Sequence, residues 1–369
     1  MSTLDTLLGD ETLVTLERAM AELRAGRPLA IEAEDGETLA AALDGASPAL
    51  FASFAALEGA ALTLSAHRAR ILGLSVDQGV AIPLAGLDQR KAQRLAVDPR
   101  LGAPKTWAEA SPAAMGAVEL CKQALLLPAA LTAVLPVSSA LPAHIHRLSL
   151  RKIVDGAGPT IHPLEVMSAA DVPLAGGVLA RFMVFRGGPA PRDQVAIVIG
   201  NPDPSQPVLV RAHSACLTGD LFGSLKCDCG DQLRGAMDRI AQEGGGVLLY
   251  LDQEGRGIGI GNKMRAYALQ QDGFDTIDAD AVLGFSQDER RYEYAASILL
   301  KLGYRKIILL TNNPEKIGAL TRAGLEVVGR RPLFGAVNAH NRGYLATKAA
   351  RANHELESLL DPPVTGTSN

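Results

Sequence analysis

The sequence predicts an α/β protein with mixed sheets, divided into two domains. Its 369 residues are enough to build two hydrophobic cores of ordinary size. In the second half, short apolar runs typical of buried strands alternate with segments of helical spacing, a pattern typical of open α/β sheets. Glycine and proline punctuate residues 155–173, where the composition also changes, so we place a linker there and the domain boundary at residue 160.

The first domain, residues 1–160, is predicted to begin with a helix that stops at Gly26. The apolar residues of that helix recur at helical spacing and are Leu13, Leu16, Met20 and Leu23. Residues 27–36 are predicted to form a strand and then a turn, and further helices are predicted to alternate with apolar runs such as 61–64 and 79–83.

The second domain, residues 161–360, is predicted to alternate strands and helices. The predicted strands are 208–212, 247–251 and 306–310, and the predicted helices are 232–243, 263–271 and 288–302. Polar loops follow these strands, and open α/β sheets bind ligands at such loops. The segment 361–369 is polar and rich in proline and glycine, so we predict a disordered tail.

Composition excludes several functional classes. A hydrophobic fraction of 47% and a charged fraction of 21% are ordinary for a folded protein. The net charge of −4 argues against a broadly basic nucleic-acid binder, although it permits a local Arg/Lys pocket for phosphates. No apolar run reaches the roughly 18 residues of a membrane span, and no signal peptide pattern is present. We therefore expect no nucleic-acid or membrane partner and a cytoplasmic location.

Three of the four cysteines, Cys216, Cys227 and Cys229, are clustered in the sequence. Thiolates are ligands that select zinc, and three of them leave a fourth coordination position for a water whose pKa falls towards neutrality. This pattern favours a hydrolytic zinc site. The alternatives are a closed zinc site completed by His213, three apolar thiols beneath a loop, or a redox pair. The Cys-x-Cys spacing is too short for the usual zinc knuckle or redox motif.

Three further loops carry polar residues, each with a structural alternative. Glu254-Gly-Arg-Gly257 could approach a ligand closely or could be a flexible turn. Thr311-Asn-Asn-Pro314, followed by Lys316, could bind a nucleobase or a phosphate or could form a helix N-cap. Asp288-Glu-Arg-Arg291, taken alone, favours a solvated helix start.

Taken together, the order of these segments resembles the GTP cyclohydrolase II family over about residues 173–350. The segments that carry the resemblance are Arg211-Ala-His-Ser-Ala-Cys-Leu-Thr-Gly-Asp220, Gly223-Ser-Leu-Lys-Cys-Asp-Cys-Gly230, Leu248-Leu-Tyr-Leu-Asp-Gln-Glu-Gly-Arg256, Asn262-Lys-Met-Arg-Ala-Tyr-Ala-Leu-Gln270, Leu283-Gly-Phe285, Asp288-Glu-Arg290 and Leu310-Thr-Asn-Asn-Pro314. The spacing fits the family without obvious insertions.

The resemblance implies a GTP cyclohydrolase II fold and zinc-dependent opening of the imidazole ring of GTP. Pyrophosphate and formate would be released, giving 2,5-diamino-6-ribosylamino-4(3H)-pyrimidinone 5′-phosphate in the first step of riboflavin biosynthesis. The implied zinc ligands are Cys216, Cys227 and Cys229, and Mg²⁺ is expected on the triphosphate. The implied GTP-binding residues are Arg211, His213, Ser214, Gln232, Glu254, Gly255, Arg256, Thr276, Thr311 and Lys316.

The resemblance also implies three catalytic residues, Tyr267, Asp288 and Arg290. Tyr267 would donate a hydrogen bond to the oxyanion that forms at C8 of the guanine. Arg290 matches a residue assigned as nucleophile on the α-phosphate, with Asp288 as proton acceptor. A guanidinium holds its proton and lacks a free lone pair, so a role as a clamp on the phosphate is chemically simpler.

The sequence departs from the family at Ala215, where the pattern usually has glutamate. A carboxylate is thus absent beside the first cysteine, and its task must be performed elsewhere or lost.

The first domain resembles the opening of a 3,4-dihydroxy-2-butanone 4-phosphate synthase over residues 22–35. The match then fades, because the carboxylate-rich loop, the substrate segment and the later His-Thr-Glu of that family are absent. We expect a degenerate, non-catalytic domain in which His67, His144 and His146 are structural.

Four hypotheses therefore remain, the main one being GTP ring opening by a homodimer. The alternatives are a bifunctional enzyme, a paralogue acting on another nucleotide, and an inactive nucleotide-binding regulator. Retention of the three thiols with Tyr267 and Arg290 argues against the regulator.

Overall fold

The computed structural model describes residues 9–34, 36–136, 141–157, 164–187 and 193–351. The chain forms two compact units. Unit 1 comprises Met1–Thr160, Gly257–Phe274 and Asp278–Glu289, and unit 2 comprises Ile161–Arg256, Asp275–Ile277 and Arg290–Asn369. No helix in the described part of the chain is long and apolar enough to cross a membrane. The predicted disordered tail, 361–369, lies outside the described residues.

Unit 1 contains a seven-stranded sheet in the order β5-β4-β3-β6-β2-β1-β7. Neighbouring strands are antiparallel except β1 and β7, which are parallel. The strands are β1 (Leu29–Ala33), β2 (Gly36–Ala42), β3 (Ala61–Leu64), β4 (Val80–Pro83), β5 (Ala108–Glu109), β6 (Ala129–Leu135) and β7 (His146–Ser149).

Six helices precede, connect or follow these strands. They are α1 (Glu11–Arg24), α2 (Pro48–Ala55), α3 (Ala66–Ile71), α4 (Gln89–Val97), α5 (Pro112–Gln123) and α6 (Leu150–Ala157). Each of the first five is preceded by an N-cap serine or aspartate, such as Asp10 or Ser111. The side chain of this residue accepts a hydrogen bond from a backbone N–H of the first turn. His146, which the sequence predicts to be structural, contacts the carbonyl oxygen of Thr15 at 2.9 Å.

Unit 2 contains a second seven-stranded sheet, in the order β14-β13-β11-β12-β10-β9-β8. Its strands are β8 (Glu165–Pro173), β9 (Leu179–Arg186), β10 (Gln194–Gly200), β11 (Val208–Ser214), β12 (Gly245–Leu251), β13 (Lys306–Leu310) and β14 (Glu326–Arg331). Strands β12, β11, β13 and β14 are parallel, and β8, β9 and β10 extend the sheet antiparallel. Both sheets therefore belong to mixed α/β units, as the sequence predicts.

The described part of the second half contains six α-helices. They are α7 (Cys229–Gln242), α8 (Gly259–Gln271), α9 (Thr276–Val282), α10 (Glu293–Lys301), α11 (Pro314–Arg322) and α12 (Arg342–Arg351).

Two local predictions are wrong. The helix predicted from residue 288 begins at Glu293, so Asp288 and Arg290 lie in the non-helical segment before it. The predicted linker is interrupted by α6, which extends to Ala157, and by β8, which pairs with β9. Glycine and proline signalled a break there, but antiparallel pairing with β9, the next strand along the chain, decided the outcome.

Two segments that the sequence assigns to the second domain belong to unit 1. They contain α8 and most of α9. Five of their apolar residues lie in the same core as Leu62, Leu64 and Leu72 of unit 1, namely Ile258, Ala266, Ala279, Leu283 and Phe285. Burial of this apolar surface explains why the segments pack there.

Candidate active site

Three neighbouring parallel strands of unit 2, β11, β12 and β13, end at the same edge of the sheet. The cysteine segment follows Ser214, the Glu254 loop follows Leu251, and Thr311 follows Leu310. Parallel topology thus gathers loops that are far apart in sequence, which is the usual arrangement of ligand sites in open α/β sheets.

The three clustered thiols converge after β11. The Sγ atoms of Cys216, Cys227 and Cys229 all lie within 4.8 Å of one another, and those of Cys216 and Cys227 are 3.7 Å apart. A Cβ atom at Gly219 would lie 2.8 Å from the Cys227 Sγ and 3.0 Å from the Cys216 Sγ, so only glycine leaves room for the cluster. Among the described residues, these side chains are the one group of three or more His, Cys, Asp or Glu that could hold a metal ion.

The chemistry of this donor set fits a thiophilic metal ion. Hydrogen bonding to Cys216, together with burial, raises the pKa of Cys227 and of Cys229. Three adjacent thiolates would repel one another, so the thiols do not all lose their protons readily. A bound divalent cation offsets that negative charge and favours the thiolate forms. The arrangement therefore suits tight metal binding better than it suits inert apolar packing.

His213 is engaged elsewhere and is not part of this thiol group. Its Nε2 atom lies 3.1 Å from both carboxylate oxygens of Asp220, and its ring stacks on Tyr250 with centroids 5.7 Å apart. Burial lowers the pKa of His213, and Asp220 partly opposes that shift.

Asp220 contacts the candidate site, although the sequence pattern did not identify it as a site residue. Its Oδ2 atom accepts hydrogen bonds from the Cys216 backbone N–H at 2.9 Å and from the Tyr250 hydroxyl at 3.0 Å. It thereby fixes the backbone of Cys216, the first of the three cysteines. The only local signal is its position four residues after Cys216, and an aspartate at that spacing is too common to predict a role by itself.

Glu254 holds the same segment from the neighbouring loop. Its Oε2 atom accepts the backbone N–H of Leu217 at 2.6 Å. Asp220 and Glu254 therefore place carboxylates at the cysteine segment, where Ala215 stands in place of the family's usual glutamate. Both Gly255 and Arg256 have a φ of 63°, a conformation that costs a non-glycine residue about 1–3 kcal/mol and is concentrated at functional sites.

Two buried cations flank the end of β11. Arg211 donates from Nη1 to the Leu310 carbonyl oxygen at 2.9 Å and from Nη2 to the Gln232 Oε1. Lys316 donates to the carbonyl oxygen of Ala212 at 3.3 Å. Both residues are 6% exposed, and burial lowers the pKa of Arg211. Buried cations at the ends of strands favour the binding of an anionic ligand.

Arg290 extends this cationic group. Its guanidinium lies 5.4 Å from the centre of the Tyr292 ring, and the Lys316 ammonium lies 5.4 Å from the centre of the same ring. Tyr292 is 7% exposed and was not identified from the sequence. The three cations Arg211, Arg290 and Lys316 belong to unit 2.

Four buried polar atoms near these strand ends have no hydrogen-bond partner among the described residues. They are Arg211 Nε, His213 Nδ1, Ser214 Oγ and Gln253 Oε1. Buried polar atoms normally have partners, so this group indicates water or a bound ligand. Arg211, His213 and Ser214 were all predicted to bind the substrate.

The remaining predicted residues are distributed over both units. Thr276 begins α9 and belongs to unit 2. Thr311 is 2% exposed and its hydroxyl accepts the backbone N–H of Asn313, which itself caps α11. The predicted N-cap role of this segment is therefore confirmed. Tyr267 and Asp288 belong to unit 1, unlike the thiols and the three cations.

Comparisons with known proteins identify the relatives of this chain. The family model described as GTP cyclohydrolase II matches residues 165–332. A GTP cyclohydrolase-2 from Xylella fastidiosa (strain 9a5c) is 46% identical over 354 residues, covering 95% of this chain and 89% of that protein. A GTP cyclohydrolase-2 from Azospirillum brasilense is 42% identical over 374 residues, covering 94% of this chain and 95% of that protein. The riboflavin biosynthesis protein RibBA of Bacillus subtilis (strain 168) is 53% identical over 166 residues, covering 45% of this chain and 42% of that protein.

Proposed function

The chain belongs to the GTP cyclohydrolase II family of hydrolases, and from this premise we propose that it opens the imidazole ring of GTP. The proposed products are formate, pyrophosphate and 2,5-diamino-6-ribosylamino-4(3H)-pyrimidinone 5′-phosphate, and the reaction is placed first in riboflavin biosynthesis in the cytoplasm. One observation supports this most strongly: three converging thiols and the buried cations Arg211 and Lys316 occupy the same strand-end edge.

Cys216, Cys227 and Cys229 would hold one zinc ion per chain, with a solvent molecule as fourth ligand. Zinc bound there would supply Lewis acidity and activate water for attack at C8 of the guanine. The protein's own contribution is orientation, because Asp220 fixes the Cys216 backbone and Glu254 fixes that of Leu217. A rigid thiol segment keeps the reacting groups in place.

The cations of unit 2 would bind the triphosphate, with Mg²⁺ offsetting the charge of the departing pyrophosphate. Arg211 and Lys316 donate hydrogen bonds to backbone carbonyl oxygens. Because these oxygens carry no formal charge, they do not neutralise the two cations. Arg290 would clamp the α-phosphate through its planar fork while keeping its own proton, and Asp288 would accept the proton of the water that displaces pyrophosphate. Tyr267 would donate a hydrogen bond to the oxyanion that develops at C8.

The remaining substrate contacts are assigned to residues around the same strand ends. We propose that the nucleotide also contacts His213, Ser214, Gln232, Glu254, Gly255, Arg256, Thr276 and Thr311. The active form is proposed to be a homodimer, with no nucleic-acid or membrane partner.

Product analysis tests this function. The purified protein should convert GTP with Mg²⁺ into equal amounts of formate, pyrophosphate and the diaminopyrimidine. ATP, ITP and CTP in parallel incubations test the paralogue hypothesis raised by Ala215. A product from one of these nucleotides but none from GTP would replace the proposed substrate, and no product from any would favour a non-catalytic nucleotide binder.

We also propose that unit 1 has no synthase activity, so ribulose 5-phosphate with abundant Mg²⁺ should give no dihydroxybutanone phosphate. Rearrangement of a sugar phosphate needs a metal held by several carboxylates beside an acid/base pair. Among the acidic residues near the expected place, Glu37 is bound to Arg147 at 3.0 Å. Detection of dihydroxybutanone phosphate above a no-enzyme blank would make the chain bifunctional instead.

A further inference from the structure

Unit 1 contains the two segments that bear Tyr267 and Asp288. Tyr267 lies on α8, and Asp288 follows α9. The apolar residues of these segments share a core with the N-terminal part of the chain. Apolar packing alone tolerates small slides, so directional contacts decide how finely a catalytic side chain is positioned.

Three hydrogen bonds join α8 to the N-terminal part of the chain, two to Asp44 and one to Leu125. Asp44 accepts two hydrogen bonds from Arg265, at 3.0 Å from Nη1 and 2.7 Å from Nη2. The same Nη1 atom donates to the Asn262 Oδ1 at 2.7 Å, and Asn262 donates to the Leu125 carbonyl oxygen at 3.2 Å. A bidentate arginine–carboxylate pair fixes orientation as well as distance, so it constrains the rotation of α8 about its axis.

Leu125, whose carbonyl oxygen Asn262 contacts, has a strained backbone conformation. Its φ is 60°, the left-handed region that favours glycine. A Cβ atom at Gly259, the first residue of α8, would lie 3.0 Å from the Leu125 Cβ. Close approach between the end of α5 and the start of α8 is thus built into both backbones.

The segment that bears Asp288 is held in a similar way. Arg68 is 1% exposed and donates to the Val282 carbonyl oxygen at 3.0 Å, and Ser65 donates to that of Gly284 at 2.7 Å. Lys122 pairs with Glu289 at 3.1 Å, directly beside Asp288. Burial acts to lower the pKa of Lys122, yet Glu119 and Glu289 raise it above its ordinary value.

We propose that Asp44 and Lys122 are positioning residues for the ring-opening reaction: Asp44 orients Tyr267 through Arg265, and Lys122 orients Asp288 through Glu289. This inference rests on the proposed function. It gives unit 1 a task other than the lost synthase chemistry, since the N-terminal part of the chain supplies the partners that place two catalytic side chains. Misplacing a catalytic group by about 1 Å can lower turnover by roughly 100-fold, so such partners matter without touching the substrate.

The test compares full-length Asp44→Asn and Lys122→Met with the control Glu37→Gln. Glu37 and Arg147 form a comparable ion pair in unit 1, with exposures of 27% and 34% against 21% and 37% for Asp44 and Arg265. That pair joins β2 to β7. Asp44→Asn and Lys122→Met should each lower kcat for formate release about tenfold, with KM for GTP within about twofold, while Glu37→Gln keeps both constants.

A Tyr267→Phe background separates positioning from general destabilisation. If Asp44 acts through Tyr267, Asp44→Asn should lower kcat by less than about twofold in the Tyr267→Phe background, because that background already lacks the hydroxyl that Asp44 positions. An equal loss in both backgrounds would overturn the assignment of Asp44.

Amide hydrogen exchange without GTP keeps this inference distinct from the proposed function. Asp44→Asn should speed exchange in Gly259–Gln271, and Lys122→Met should speed it in Asp278–Glu289, relative to Glu37→Gln. Unchanged exchange, or faster exchange with unchanged kcat, would overturn the positioning role. Faster exchange in a protein whose wild type releases no formate would support the contacts and refute the proposed function.

Discussion

Cys227→Ser should abolish formate release from GTP and empty the metal site. Its Sγ atom lies 3.7 Å from that of Cys216 within the three-thiol group, and no other described His, Cys, Asp or Glu belongs to that group. Water activation by a metal is worth several kcal/mol of the barrier, so formate release should fall by at least about 10³-fold. Bound zinc should fall from one ion per chain to near zero.

Pyrophosphate release should continue in the Cys227→Ser variant. The cations proposed to bind phosphate are Arg211, Arg290 and Lys316, and none of them contributes to the thiol group. The matched control is Cys121→Ser, which replaces a buried cysteine in unit 1 and should leave zinc content unchanged. Normal formate release from zinc-free Cys227→Ser protein would show that the thiols are structural.

Arg290→Lys should be nearly as damaging as Arg290→Ala, with each lowering pyrophosphate release about 10²-fold. A lysine keeps the positive charge but is a point charge on a flexible stem, so it cannot reproduce a planar fork against phosphate oxygens. The Arg290 guanidinium also lies over the Tyr292 ring at 5.4 Å, a contact that depends on its shape.

The adjacent Arg291 offers a matched control. Its guanidinium lies 5.7 Å from the centre of the Tyr294 ring, so Arg291→Lys makes the same chemical change one residue away. That variant should keep most of the wild-type rate. If Arg290→Lys also keeps most of its rate, bidentate geometry does not matter and both the clamp and the nucleophile roles lose their support.

Local sequence patterns predicted the elements and loops that depend on neighbouring residues. Strand β13 has the predicted bounds, Lys306–Leu310, because a short run of apolar and β-branched residues specifies a buried strand. The thiol group was also predictable, since its three members lie close in sequence. Parallel strand ends then explain why the cysteine segment and Lys316 lie near one another.

Contacts between distant parts of the chain were not predictable in this way. The packing of α8 with the N-terminal part of the chain depends on partners such as Asp44, which lies 221 residues from Arg265. The cap of the Cys216 backbone depends on the rotamer of Asp220, which no periodicity encodes. The non-helical course of Asp288 follows from bonds such as that between Glu289 and Lys122, which compete with local helix propensity.

Formate release from GTP labelled at C8 tests the central claim most directly. The zinc-loaded full-length protein should release the label as formate in a one-to-one ratio with pyrophosphate, and removal of zinc should stop formate release until zinc is restored. Label that remains in the nucleotide while pyrophosphate is released by zinc-loaded protein would contradict ring opening.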